Sequence, residues 1–169
     1  MRIKKEEKWT QKEKIKKIIA LTKDIKIALF TTIAPEGIVT RPMVTQQTEF
    51  DGDLWFFTFE DTAKIEEIRE NSNVNIAYAD KKDTFVSIRG TAEVVKDDAK
   101  KEALWNKAYE AVFDTHYDDP RLVLIKVQVE SAEFWESGST LKTAFRFVTN
   151  MLGKDHKDLG TNETVEFDE

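Results

Sequence analysis

The sequence contains no cysteine and only two histidines, and these absences exclude several kinds of chemistry. Without thiols there can be no disulfides, thiolate catalysis or ordinary zinc cages, and a reducing compartment is favoured. His116 and His156 have no partner at metal-ligand spacing. The Walker phosphate loop and the G-x-S-x-G and G-x-G-x-x-G motifs are also missing. We therefore predict no catalytic side chain and no metal site, so any reaction would have to be supplied by a bound cofactor.

Long apolar runs and an excess of positive charge are missing as well. No stretch approaches the roughly 18 consecutive apolar residues of a membrane span, and the opening MRIKKEEKW lacks the apolar segment of a signal peptide. The formal net charge of -6 argues against sequence-independent binding of nucleic acid. The lysine-rich stretch 12–26 is interpreted as a solvated helix face. We expect a cytoplasmic protein that binds neither membranes nor nucleic acid.

The pattern of elements predicts a mainly β domain. With 169 residues and 40% apolar content, one sizeable core is sufficient, so a single domain over 1–169 is expected. Helices are predicted at about 6–22, at 64–71, from 97 to 113 and within a C-terminal helix and tail of about 139–169. Strands at irregular intervals favour a mostly antiparallel barrel with helices outside it. The predicted strands are 25–33, 37–45, 54–59, 74–79, 84–95, where Gly90 indicates a bulge, and 122–129, and a short strand is compatible with 164–167.

The stretch from Gly37 to Lys64 is the centre of the prediction. Its first strand places Val39, Arg41, Met43 and Thr45 on one face, because side chains alternate along a strand. The turn signal Asp51-Gly52 then predicts a hairpin with the aromatic strand that follows. After that strand, Asp61 or Thr62 can cap a helix whose first turn carries Lys64.

Arg41 and Lys64 are the candidate anion-binding residues of this stretch. Arginine followed by Pro42 indicates an edge strand, because proline cannot donate to the ladder, and an edge arginine that points into a groove can bind an anion. A lysine in the first turn of a helix opposes the helix dipole unless an anion offsets it. The competing interpretation is an ordinary surface arginine on a strand edge. If the two cations meet, an aromatic ring bearing a phosphate would suit them.

The aromatic residues have a simpler interpretation as core. Trp55 and the Phe56, Phe57 and Phe59 set would be hydrophobic core by default, although one face of their strand could remain open for a flat ring. Trp135 follows a predicted strand and is flanked by acidic residues, so it is expected at a boundary, either as a cap or as a ring-stacking or interface residue.

An ordered set of short motifs resembles a known family. The chain contains TRPM at 40–43, LWFFT at 54–58, T-x-K at 62–64, a strand glycine at 90, LW at 104–105, DDP at 118–120 and AEFW at 132–135. This set resembles the general stress protein 26 group of the pyridoxamine 5'-phosphate oxidase-like family, the FMN-binding split barrels. The resemblance spans about 18–136.

The resemblance implies a six-stranded antiparallel split β-barrel with flanking helices, which forms a homodimer with FMN at the subunit interface. It implies that Arg41 and Lys64 bind the FMN phosphate, assisted by Thr62 and the helix amides beginning at Ala63. The residues implied to line the ring and ribityl chain are Pro42, Met43, Val44, Gln46, Phe57 and Thr58. Trp135 would reach the flavin of the partner chain.

The resemblance also sets limits on the activity. Pyridoxamine 5'-phosphate oxidases follow the matching tryptophan with an arginine-x-histidine element, whereas Trp135 is followed by ESGSTLKTAF. Oxidation of vitamin B6 is therefore not expected. We expect a flavin-dependent oxidoreductase of unknown substrate with a stress-related role, using NAD(P)H or another electron donor. The alternatives are a non-catalytic flavin-binding or sensing module, a split barrel that binds the deazaflavin F420 or haem, and a scaffold with an empty cleft.

Overall fold

Seven strands and four helices make up the described part of the chain. The computed structural model describes residues 9–46, 50–81, 84–136 and 161–166. The helices are α1 (Gln11–Thr22), α2 (Ala63–Glu70), α3 (Asp98–Leu104) and α4 (Lys107–Phe113). The strands are β1 (Ile27–Ala34), β2 (Gly37–Val44), β3 (Asp53–Phe59), β4 (Asn73–Ala79), β5 (Thr84–Val95), β6 (Leu122–Glu136) and β7 (Thr161–Glu166).

Six of the strands form one curled antiparallel sheet in the order β2-β1-β4-β5-β6-β3. The long strand β6 pairs with β3 through its first half and with β7 through its second half, while β5 runs along its other edge. The helices lie on the outside of this sheet. The prediction of a mainly β, six-stranded antiparallel split barrel with flanking helices is therefore confirmed.

The predicted hairpin between β2 and β3 is wrong. The two strands lie at opposite ends of the hydrogen-bonded path: within the described residues, β2 pairs with β1 alone and β3 with β6 alone. The turn at Gly52, with φ of +115°, reverses the chain locally, but a turn signal does not select the strand that will be paired. The true partner of β3 lies about seventy residues further along the chain, and β2 is left on an edge, as Pro42 predicted.

The bulge predicted at Gly90 is confirmed. The register of β5 against β6 shifts between Arg89, which faces Ser131, and Gly90, which faces Val129. A Cβ atom on residue 90 would lie 2.2 Å from the carbonyl oxygen of Gln128, so only glycine fits this close approach of two backbones. The irregularity bends the two longest strands and helps the sheet to curl.

Apolar side chains fill both sides of the curled sheet. The interior cluster combines alternate residues of all six strands with α1 and α2, and Phe30 and Phe56 meet edge to face at its centre. A second cluster lies beneath α3 and α4, where Phe57 packs against Trp105 and Tyr109. Both faces of β3 are therefore covered, which explains its continuous aromatic run.

Several predicted boundaries change in the structure. Helix α1 begins at Gln11 instead of residue 6, because Thr10 and Glu13 form a capping box. The predicted helix 97–113 is two helices, because Asn106 caps α4 immediately after Trp105 ends α3. The C-terminal helix expected within about 139–169 lies outside the described residues, which in this region are only those of β7. Among the described helices, none is long and apolar enough to cross a membrane.

Candidate functional site

Strand β2 places Arg41 on the inner face of the sheet. Arg41 lies opposite the buried Phe30 of β1 in the strand register, and Met43, two residues further along, is also buried. Arg41 and Met43 therefore share the inner face, as predicted. The Arg41 side chain is 21% exposed. Because β2 is an edge strand, the guanidinium can reach past the sheet towards the helix that packs against it.

That helix is α2, which supplies a carboxylate for Arg41. Nη1 of Arg41 donates to Oε2 of Glu67 at 2.7 Å, and Nη2 donates to Oε1 at 3.1 Å. Such paired bonds hold a planar guanidinium in one orientation. The Glu67 side chain is 8% exposed, so most of this ion pair is shielded from solvent.

A threonine of β1 completes the contact. Nη1 of Arg41 also donates to Oγ1 of Thr32 at 3.0 Å, and the Thr32 hydroxyl donates to Oε2 of Glu67. Thr32 is fully buried. The hydrogen bonds from Arg41 lower the pKa of Glu67 and outweigh the opposing effect of its burial, and the Thr32 hydrogen bond lowers it further. Glu67 is therefore a carboxylate at neutral pH.

Lys64 lies one helical turn before Glu67 on α2. Its Nζ donates to the hydroxyls of Thr58 at 2.9 Å and Thr62 at 3.1 Å. Burial lowers the pKa of Lys64, and the positive charge of Arg41 lowers it further. The structure thus brings the two predicted cations into one group, which we call the α2 cluster: Thr32, Arg41, Thr58, Thr62, Lys64 and Glu67.

Unused donors remain in the α2 cluster. Among the described residues, Nε of Arg41 has no partner, Nη2 donates only to Glu67, and Nζ of Lys64 keeps one of its three hydrogens. Thr62 is the N-cap residue of α2, but its hydroxyl donates to the carbonyl of Phe59 instead of accepting from the helix amides. A phosphate monoester fits this set, because it needs several donors and positive charge.

The other residues predicted to bind the cofactor in β2, and Gln46 just after it, follow Arg41 closely in the chain but lie in different surroundings. Pro42 is exposed on the outer face of the sheet, Met43 belongs to the interior cluster, and Val44 packs near the second cluster. Gln46 lines a cavity of about 80 Å³ between α1 and β3, with both amide atoms buried and unpartnered in the described chain. No residue of the α2 cluster lines this cavity.

The aromatic candidates differ in accessibility. Phe57 is 3% exposed beneath α3 and α4, so the expectation that one face of its strand stays open for a ring is wrong. Trp135 follows the inward-facing Phe134 and is paired with the exposed Phe85 of β5. Trp135 therefore lies on the outer face of the sheet, the side away from the interior core.

Two members of the α2 cluster escaped the sequence analysis. The sequence pattern assigned no role to Glu67 or to Thr32. The spacing of Lys64 and Glu67, three residues apart on a helix, was the available signal, because such residues lie on the same face. No local feature of the sequence connects Thr32 or Glu67 to Arg41.

Comparison with solved structures shows the same architecture in other proteins. A general stress FMN/FAD binding protein from Xanthomonas citri is 27% identical, with a TM-score of 0.67 over 76% of this chain and 92% of that one. General stress protein 26 from Bacillus anthracis is 22% identical, with a TM-score of 0.63 over 70% and 91% of the two chains. A Clostridium acetobutylicum protein related to general stress protein 26 is 19% identical, with a TM-score of 0.68 over 93% and 96%.

A family model supports the assignment over most of the chain. No curated protein matches the sequence significantly. The model described as pyridoxamine 5'-phosphate oxidase like matches residues 13–158. Together with the similar structures, this match confirms the resemblance found in the motifs from TRPM to AEFW. The chain belongs to the pyridoxamine 5'-phosphate oxidase-like family.

Proposed function

We propose that this protein binds FMN and that the α2 cluster holds the FMN phosphate. Arg41 and Lys64 bind the phosphate oxygens, and Thr62 and the first amides of α2, beginning at Ala63, add neutral donors. Thr58 keeps the Lys64 ammonium in place. The observation that carries the proposal is that two cations, predicted from separate elements, share one cluster with donors still unused.

Electrostatics supports an anionic ligand at this position. Each positive charge of the cluster is partly buried, and the two repel each other, so that the pKa of Lys64 is lowered in the ligand-free protein. Glu67 neutralises one of the two charges. A bound phosphate would neutralise the other and would relieve the repulsion, because an opposite charge at close range favours the protonated ammonium.

We further propose a homodimer that completes the site. The outer face of the β1–β2 pair carries four apolar side chains, Ile27, Leu29, Ile33 and Ile38, which are between 42% and 78% exposed. Exposed apolar patches of this kind are typical of protein interfaces. Trp135 and Phe85 lie on the outer face of the same sheet, so Trp135 of one protomer can approach the cofactor of its partner.

The ring would occupy the cleft between protomers, beside the chain from Pro42 to Gln46 and the Phe57–Thr58 backbone. The Phe57 ring itself is buried, so its contribution comes from main-chain atoms. When bound, FMN supplies hydride exchange at its N5 atom. The protein binds and orients the ring and limits its contact with water. With this chemistry the protein would act as an oxidoreductase that takes electrons from NAD(P)H or another electron donor. The alternative is a protein that binds the flavin without catalysing a reaction.

The test is to measure flavin binding by the purified protein and by the double variant Arg41→Ala with Lys64→Ala. We expect the wild type to bind FMN with a flavin absorption spectrum and with the native mass of a dimer. The double variant should lose at least hundredfold in FMN affinity, because charge-assisted hydrogen bonds are worth about 1.5–3 kcal/mol each.

The matched control is Lys17→Ala with Arg69→Ala, which removes the same two charge types from ion pairs outside the α2 cluster. This control should bind FMN as the wild type does. Unchanged FMN affinity in the Arg41 and Lys64 variant would contradict the assigned site. An absorption spectrum of F420 or haem would contradict the cofactor, and steady oxidation of NAD(P)H would exclude a non-catalytic role.

A further inference from the structure

The way in which Glu67 binds Arg41 leaves one particular edge of the guanidinium open. Glu67 accepts from Nη1 and Nη2, which form the end of the guanidinium, and Thr32 also accepts from Nη1. The lateral edge, made of Nε and the second hydrogen of Nη2, has no partner among the described residues. These two donors are parallel and match two oxygens of one phosphate.

The surroundings of Glu67 make this orientation fixed. Its carboxylate accepts hydrogen bonds from Arg41 and from Thr32, which belong to two paired strands, while its own backbone belongs to α2. Glu67 and Thr32 are both buried, so water does not compete effectively for these bonds. The carboxylate therefore ties the guanidinium to the helix that carries Lys64.

We propose that Glu67 is a positioning residue, which holds Arg41 with its lateral edge directed at the phosphate of the ligand. This proposal rests on the proposed function, because it concerns the same phosphate site. Glu67 does not touch the ligand and acts only through Arg41. Because Glu67 directs the Arg41 donors at a terminal phosphate, it should affect the binding of FMN but not that of riboflavin, which lacks that group.

Charge alone leads to the opposite expectation. Glu67 carries a negative charge close to the site of a phosphate anion, and Coulomb's law predicts that removing this charge strengthens the binding of FMN. If Glu67 acts by orientation, its removal weakens FMN binding despite the gain in positive charge. The sign of the change therefore separates the two roles.

The experiment compares Glu67→Gln with the wild type in the binding of FMN and of riboflavin. Glutamine has nearly the same shape, but its amide nitrogen cannot accept from the guanidinium, so the paired hydrogen bonds are lost. We expect FMN affinity to fall about tenfold or more, as when outer partners of metal ligands are removed. Riboflavin affinity should not change.

The matched control is Glu66→Gln, on the same helix. Glu66 is 71% exposed and pairs with Arg69, so this variant makes the same charge change without touching Arg41. It should leave both affinities unchanged. Glu67→Asp, which keeps the charge but is shorter by one methylene, should recover part of the FMN affinity lost in Glu67→Gln.

Three outcomes would overturn the positioning role. They are FMN binding by Glu67→Gln that equals or exceeds that of the wild type, an equal loss of FMN and riboflavin, and no recovery in Glu67→Asp. If Glu67→Gln does not fold, Glu67→Asp decides by a selective loss of FMN affinity. A wild type that binds FMN no better than riboflavin would instead contradict the proposed phosphate site itself.

Discussion

Two arginines of this protein are each bound to a carboxylate that also accepts a hydrogen bond from a threonine, and the contrast between them shows what makes a binding group. In the α2 cluster, Arg41 is bound by Glu67 and Thr32. In the loop before β6, Arg121 is bound by Asp119, which also accepts from Thr115. The chemical groups are the same in both places.

The geometry of the two groups differs. Asp119 takes the lateral edge of Arg121, through Nε at 3.1 Å and Nη2 at 2.7 Å, and so occupies the donors that Arg41 keeps free. Arg121 is 69% exposed and lies two residues from its partner, whereas Arg41 is 21% exposed and its partner comes from another element. The loop group stabilises a turn, while the α2 cluster presents directed donors.

The largest expected difference between the two groups is the loss of FMN affinity when each arginine is removed separately. Arg41→Ala should weaken FMN binding roughly tenfold to hundredfold, because one or more charge-assisted hydrogen bonds are lost. Arg121→Ala should leave FMN affinity unchanged, because the donors of its lateral edge are already occupied by Asp119. Titration of flavin fluorescence measures both. Equal losses of FMN affinity in the two variants would contradict the assignment of the phosphate site to the α2 cluster.

The dependence of FMN binding on pH gives the second difference, because only the α2 cluster contains a lysine. Burial and Arg41 lower the pKa of Lys64 from its ordinary value of 10.5, so the ammonium is lost at a lower pH. FMN affinity relative to riboflavin should therefore fall as the pH rises towards 10.5. Lys64→Arg should resist this fall, because arginine stays charged. The measurement is the affinity ratio across alkaline pH.

The stability of the ligand-free protein should change with the opposite sign in the same pH range. Between the lowered folded pKa of Lys64 and its higher unfolded pKa, the unfolded chain binds more protons, so this residue's contribution to stability rises with pH. Urea unfolding of the wild type and Lys64→Met at several pH values measures it. A contribution that falls with rising pH would contradict the lowered pKa.

The two threonines provide the smallest difference. Thr32→Val should lower the free energy of unfolding by about 1 kcal/mol, because a buried hydroxyl loses its bonds to Arg41 and Glu67. Thr115→Val, where a partly buried hydroxyl loses only its bond to Asp119, should cause a smaller loss. Urea denaturation compares the two variants. A larger loss of unfolding free energy in Thr115→Val than in Thr32→Val would show that the loop group, not the α2 cluster, is the more strongly held.

Local features of the fold were predictable from the sequence. The bulge at Gly90, the inward row of Arg41 and Met43, the edge position marked by Pro42, and the helix start at Thr62 all agree with the structure. Each depends on the conformational limits of one residue or on alternation along a strand, which act over a few residues. Lys64 was singled out for the same reason, as a cation at a helix start.

Contacts between distant segments were predicted less well. The turn at Gly52 suggested a hairpin, but β3 pairs with β6, and the strand β6 extends seven residues past its predicted end. Glu67 stands among charged neighbours on α2, and nothing in that pattern distinguishes it from them. Its burial follows from the packing of α2 against β1 and β5 and from its contacts with Thr32 and Arg41, which the helical pattern alone does not show.

The sequence by itself determined which stretches form most of the strands and helices, which face of β2 carries Arg41, and that the chain has no thiol. The reason is that dihedral preferences, side-chain alternation and side-chain chemistry are properties of short stretches. Only the tertiary structure decided that Glu67 takes one edge of the Arg41 guanidinium and leaves the other free. That contact joins residues 26 positions apart, and the packing of a helix on a curled sheet sets its geometry.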